Sequence, residues 1–266
     1  MIFNAIKLKK QNIKKEVIEE ALHICYDHIS FSTFPYIVYG LNSSKQTLDQ
    51  YNSGNCIALS LFLKRYLKNI GINSFLIPAS VPQIHMVEGV NHLCHVSLLI
   101  PYEKDKFYII DPAFYMLTPL DCQESNNILR RADSMDIHSQ RITPINYMIK
   151  DADQHNQHKI QVTCFFDESP NDIWHYYVQE ISLEDADKYI GAVFMNKKPD
   201  PFICRTVFDI ETQTVKKMYH IKKQGESIII IKLNKEIYAG PITHIPRDIK
   251  KELQMKLYKY FSKAMF

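Results

Sequence analysis

The chain has 266 residues, of which 46% are hydrophobic, 12% aromatic and 23% charged, with only 7 glycines. That length buries one large core or two smaller ones. The composition excludes a disordered, collagen-like or glycine-rich repetitive chain. A formal charge of +3 is too small to mark a nucleic-acid binder.

The N-terminus, MIFNAIKLKKQNIKKEV, has its early apolar run broken by Lys7, Lys9 and Lys10, which argues against a secretory leader. No window approaches the roughly 18 unbroken apolar residues of a spanning helix. A soluble, cytoplasmic protein with reduced thiols is expected, with neither membrane nor nucleic acid as partner. The basic stretch KLKKQNIKK reads as a solvated face. Cys25, Cys56, Cys94, Cys122, Cys164 and Cys204 stand singly with no CxxC, so no metal is expected. Five of them read as small buried hydrophobes.

Residues 12 to 29 have helical spacing, with Ile13, Val17, Ala21, Leu22 and Cys25 on one stripe. Phe31 to Ser44 is aromatic, contains Pro35 and Gly40, and reads as a packed loop. Asn52 to Asn55 form a turn cluster in which Ser53, Gly54 or Asn55 can cap a helix. That helix, Cys56 to Ile70, is apolar on most sides and stops at Gly71, so it is predicted to be buried. The period then shortens towards two. SFLIPA, CHVSLLI, FYIID, IQVTCFF, WHYYVQEI, CRTVFDIE, KKMYHIK and SIIIIKL are predicted strands, with PYEKDK a hairpin loop. Residues 121 to 159 are polar, with His155 and His158 near their end, and read as a surface connection. Ile249, Leu253, Leu257 and Phe261 predict a terminal helix from about Pro246. Helices first, strands second and a mixed segment last predict an α+β fold.

One cysteine has a chemical context. Cys56 opens the buried helix, where unpaired N–H groups and the helix dipole favour an anion. Acyl transfer through a thiolate needs an imidazole to carry the proton and an acceptor to orient that imidazole. The strand-loop-strand after the helix supplies both. A hairpin centred near Glu103 pairs His95 directly with Asp111, on one face with Ser97, Leu99, Phe107 and Ile109. His85 and His92 lie in the preceding loop, with no carboxylate predicted to face them.

A Cys at a helix start followed by His and Asp on neighbouring strands resembles the transglutaminase-like superfamily. Within it the chain most resembles the arylamine N-acetyltransferases. Ile29 to Tyr36 is loosely similar to that family's early Pro-Phe-Glu-Asn segment, and Leu63 to Ile77 to its helix, Gly and strand after the nucleophile. Tyr177 to Ile190 and Pro199 to Cys204 resemble the stretch entering its third domain. The resemblance implies three domains around a cysteine-proteinase-like core. They are a helical domain over 1–85 carrying the nucleophile, a barrel-like β domain over 86–190 carrying His and Asp, and an α/β lid over 191–266. It also implies acetyl-CoA as acyl donor, an arylamine or related small amine as acceptor, and ping-pong transfer. In that reaction Cys56 is the nucleophile, His95 the base and acid, and Asp111 its orienter.

Asn52 to Ala58 stand where the family has Arg-Gly-Gly-x-Cys-x-Glu, so the Arg, one Gly and the Glu are absent. Pro112 follows the Asp, as in other transglutaminase-like proteins. Those differences keep two alternatives open: a transglutaminase-like amidase, protease or deamidase, and a non-catalytic relative acting in binding or structure.

Overall fold

The first long helix forms where Ile18, Ala21, Leu22, Cys25 and Tyr26 recur at three- and four-residue steps and are buried together. A computed structural model describes residues 3, 4, 6, 11–86, 92–123, 128–151, 160–191 and 200–253. In chain order its first elements are β1 (Phe3–Asn4), α1 (Lys15–His28), β2 (Ser30–Ser32), α2 (Phe34–Ile37), α3 (Ser44–Tyr51), β3 (Ser53–Gly54) and α4 (Cys56–Asn69). The strand-rich centre contains β4 (Phe75–Ala79), β5 (His95–Glu103), β6 (Lys106–Ile110), β7 (Leu120–Gln123), β8 (Arg130–Asp136), β9 (Arg141–Asp151), β10 (Ile160–Phe166), β11 (Ser169–Tyr177) and β12 (Glu180–Ile181). A short α5 (Leu183–Ala186) precedes β13 (Phe202–Asp209), β14 (Thr214–Gln224), β15 (Ser227–Lys232) and β16 (Lys235–Pro241). Residues 247–253 are helical again, whereas Leu257 and Phe261 lie outside the described residues.

The fold is α+β, with two principal sheets. An eight-stranded sheet has the order β7-β6-β5-β4-β11-β10-β9-β8, and a six-stranded sheet the order β16-β15-β14-β13-β2-β3. One core joins α1 and α4 to the first sheet. A second gathers Phe34, Ile203, Tyr219, Ile221, Ile228, Ile230, Ile245 and Leu253 on one face of the other. No helix among the described residues is long and apolar enough to cross a membrane.

Three expectations are corrected. Phe31 to Ser44 is not all loop: β2 is held by β13 and β3, and Pro35 occupies the first turn of α2, where its missing N–H costs nothing. Residues 121 to 159 are not a surface connection, since β7, β8 and β9 run through them. Their polarity reflects partial exposure of these strands: in β8, Ala132, Ser134 and Met135 are buried, whereas Arg130, Arg131, Asp133 and Asp136 are partly or fully exposed. His155 and His158 lie outside the described residues. Third, the β5–β6 pairing differs from the expected register, with a consequence described below. The strand β16 had no signal in the sequence because, as an edge strand, none of its residues is fully buried and it runs into Gly240 and Pro241.

On β14, burial first, then the charges of Lys222, Lys217 and His138, push His220 down to about 4. It is therefore neutral in the fold while the unfolded chain takes up its proton near pH 6.5. Stability is withdrawn as pH falls from about 6.5 towards 4. His220→Gln should flatten that part of a plot of melting temperature against pH; an unaltered slope would count against this origin.

Candidate active site

Helix α4 is apolar on nearly all sides, and Cys56, Ile57, Ala58, Leu59, Ser60, Leu61, Leu63 and Leu67 are buried. Its start is fixed by Asn55, whose side-chain oxygen accepts from the N–H groups of Ile57 at 3.0 Å and Ala58 at 3.3 Å. That oxygen also accepts from the Tyr36 hydroxyl at 3.0 Å, and Tyr36 contacts the hydroxyls of Ser44 at 3.0 Å and Thr47 at 3.2 Å. Asp187 completes the support, both carboxylate oxygens accepting from the Ser44 N–H at 3.0 Å. A network of hydroxyls, one amide and the Asp187 carboxylate thus stands behind Cys56. Farther along α4, the Ser60 hydroxyl donates to the Val96 carbonyl at 3.3 Å and ties the helix to the residue after His95.

The β5–β6 hairpin turns at Lys104–Asp105 and carries a bulge between Pro101 and Glu103. Its pairs include Leu98 with Ile110 and Leu99 with Ile109, two positions away from a hairpin centred on Glu103. His95 is therefore not directly opposite Asp111, and the expected pairing is corrected. A slip of two preserves the face, whereas a slip of one reverses it. The two side chains meet diagonally, His95 Nε2 lying 2.6 Å from Asp111 Oδ2. Both residues are buried.

Asp111 divides its oxygens between two tasks. Oδ1 caps the turn over Pro112–Phe114, accepting from the N–H groups of Ala113 at 3.1 Å and Phe114 at 3.4 Å. Oδ2 takes His95 and also the Tyr176 hydroxyl, which donates at 3.0 Å. Tyr176 was not anticipated from the sequence. It reaches the carboxylate because Ala79 on β4 pairs with His95 on one side and Tyr176 on the other. The three lie in one row and project from one face of the sheet.

Cys56 meets the same imidazole as a hydrogen-bond partner. Burial is the largest single influence on His95 and acts to lower its pKa. The charges of Asp111 and Cys56 and the hydrogen bonds to both outweigh it, holding the imidazole well above its ordinary value. Burial, then the Asp111 charge, pushes the Tyr176 phenol up, so it stays a donor. The Phe114 ring meets His95 edge-on at 5.2 Å between centroids. The three residues singled out in the sequence are thus together. Cys25, Cys94, Cys122, Cys164 and Cys204 are all pushed up, chiefly by burial. His85 differs from expectation, since Asp172 lies near it; burial foremost still lowers its pKa. Among the described residues no group of three or more His, Cys, Asp or Glu could hold a metal ion.

No family model matches the chain, and no curated protein matches it in sequence. Solved structures do match. An arylamine N-acetyltransferase of Bacillus cereus, described as having a unique Cys-His-Glu catalytic triad, is 15% identical at a TM-score of 0.59, over 92% of this chain and 90% of that one. Arylamine N-acetyltransferase C of Bacillus anthracis is 14% identical at a TM-score of 0.60, over 94% and 93%. The Mycobacterium marinum arylamine N-acetyltransferase, solved in complex with CoA, is 10% identical at a TM-score of 0.57, over 94% and 89%. This chain has the arylamine N-acetyltransferase fold, over almost its whole length.

Proposed function

We propose that the chain is an acyltransferase that moves an acetyl or similar acyl group from an acyl-CoA thioester to an arylamine or related amine, through a thioester on Cys56. The observation that carries this reading is the buried line from Asp111 through His95 to Cys56 at the start of α4. The fold shared with solved arylamine N-acetyltransferases supports the substrate class.

His95 takes the Cys56 proton and the sulfur attacks the thioester carbonyl of the donor. With the Ile57 and Ala58 N–H groups occupied by Asn55, the N–H of Cys56 itself is the helix-start donor for the tetrahedral oxyanion. Collapse breaks the bond to the CoA sulfur, which takes the proton from His95. The amine then attacks the Cys56 thioester, His95 accepts the amine proton, and collapse returns that proton to the Cys56 sulfur. Asp111 keeps the imidazole oriented throughout and stabilises it when charged.

Incubation with acetyl-CoA labelled in the acetyl group should leave one thioester, on Cys56, absent from Cys56→Ala and discharged by an added arylamine. A protein that remains unlabelled at Cys56 while hydrolysing peptide amides would replace this reading with the amidase one.

A further inference from the structure

Strand β6 ends at Ile110, so the carboxylate that meets His95 stands one residue beyond its ladder. Towards β5 that ladder stops at Ile110 with Leu98, and towards β7 at Ile109 with Leu120. Asp111 is fully buried, so its backbone groups need protein partners in place of water. Met116 supplies two of them. Its N–H donates to the Asp111 carbonyl at 3.4 Å, and its Sδ accepts from the Asp111 N–H at 3.2 Å. Met116 is itself fully buried, and its carbonyl accepts from the Tyr26 hydroxyl of α1 at 2.6 Å.

The chain returns to Asp111 through an uncommon backbone conformation. Tyr115 is left-handed, with φ of +48°, which a bulky L residue seldom adopts. Its ring is buried and lies 5.7 Å from that of Tyr26. An outlier of this kind persists only where the surroundings hold it. Here it closes a loop from Asp111 to Met116, and the cap that Asp111 Oδ1 makes over Ala113 and Phe114 lies inside that loop.

We infer that Met116 is a positioning residue for the acyl-transfer site: its thioether and its N–H clasp the main chain of Asp111 and so fix where Oδ2 meets His95. A buried methionine is most often core filler, and a thioether is a weak acceptor. At this position, however, a leucine of similar volume would leave the Asp111 N–H unpaired. An aspartate side chain is short, so its oxygens follow its own backbone. Freeing that N–H lets the peptide turn and loosens the 2.6 Å contact to His95. The role in catalysis rests on the acyl-transfer reading; the clasp on Asp111 does not.

The test compares Met116→Leu with Met135→Leu, the same exchange at another buried methionine. Such swaps conserve volume, so both variants should fold. With acetyl-CoA, Met116→Leu should lower the maximal rate of Cys56 acylation by about 10–100-fold at an unchanged half-saturating concentration. Met135→Leu should change neither. Alkylation by iodoacetamide needs no acyl donor. In Met116→Leu the alkaline limb of its pH profile at Cys56 should move down, because the carboxylate that holds the His95 proton is displaced. Tyr26→Phe removes the donor to the Met116 carbonyl and should move that limb in the same direction. A Met116→Leu profile that superposes on the unaltered one would overturn the clasp, and so would an equal rate loss in Met135→Leu. Should Met116→Leu not fold, the Tyr26→Phe profile decides in the same way. If the unaltered protein takes no acetyl group but the limb still moves, the acyl-transfer reading fails and the clasp stands.

Discussion

Asp111→Asn should lower the rate of Cys56 acylation by about 10³–10⁴-fold, the scale seen when a triad carboxylate becomes an amide. The reason is visible in what the carboxylate does. All four of its contacts are accepted hydrogen bonds: two from backbone N–H groups on Oδ1, and those from His95 and Tyr176 on Oδ2. An asparagine has one acceptor oxygen. If that oxygen keeps the backbone cap, the amide NH2 faces two donors and the imidazole loses its orientation. If it turns to His95, two backbone donors are orphaned at about 1–3 kcal/mol each. Loss of the negative charge also removes much of what opposes burial at His95. The imidazolium is then lost at lower pH, and the alkaline limb of the Cys56 alkylation profile should move down. Acetyl-CoA labelling rates and iodoacetamide alkylation against pH check both effects. A rate within tenfold of the unaltered protein would mean that Asp111 does not orient the base.

Gly54→Ala should be the most damaging glycine-to-alanine change among the described residues. Gly54 has φ of +152°, and an added Cβ would lie 2.5 Å from Ala58 Cβ, 2.8 Å from Thr47 Oγ1 and 2.9 Å from the Tyr36 hydroxyl. Ala58 Cβ sits on the helix backbone, so the clash is relieved only by shifting the start of α4 or disrupting the hydroxyl network. Backbone strain and overpacking together set a cost of about 2–5 kcal/mol. At about 2–4 °C per kcal/mol the melting temperature falls by roughly 4–20 °C. Gly71→Ala is the control: its φ is +83° but nothing lies within 4 Å, so only strain of about 1–2 kcal/mol remains. Equal losses in the two variants, by thermal unfolding, would refute the packing argument.

The sequence carried the local features well and the distant ones poorly. The buried helix behind Cys56 was legible because its apolar run, its capping turn and Gly71 are contiguous. That His95 and Asp111 share a face was legible because period-two alternation survives a register error of two. The true register was not, since it depends on a bulge near Pro101 and a left-handed Asp105. Tyr176 could not be read as part of the site, because its place depends on β11 pairing with β4 rather than on any local pattern. Asn55 was legible as a candidate cap, but Tyr36, Ser44 and Thr47 look like ordinary turn and helix residues until α3 folds against α4. β7, β8 and β9 were hidden by polar residues that the sheet turns to solvent.

The row His95–Ala79–Tyr176 has a consequence for biosynthesis. A nascent chain that has emerged as far as Asp111 already carries the thiol, the imidazole and the carboxylate. The second side-chain donor to that carboxylate follows 65 residues later and is held by a strand that must come back to lie beside β4. Contacts at such separation form late, after the cost of closing the intervening loop has been met. Until then Oδ2 lacks the Tyr176 hydroxyl, and the hairpin edge at β4 lacks its neighbour. The surroundings of Cys56 and His95 are thus completed with the closing of the sheet, so a chain interrupted before β11 carries the thiol, the imidazole and the carboxylate in an unfinished setting.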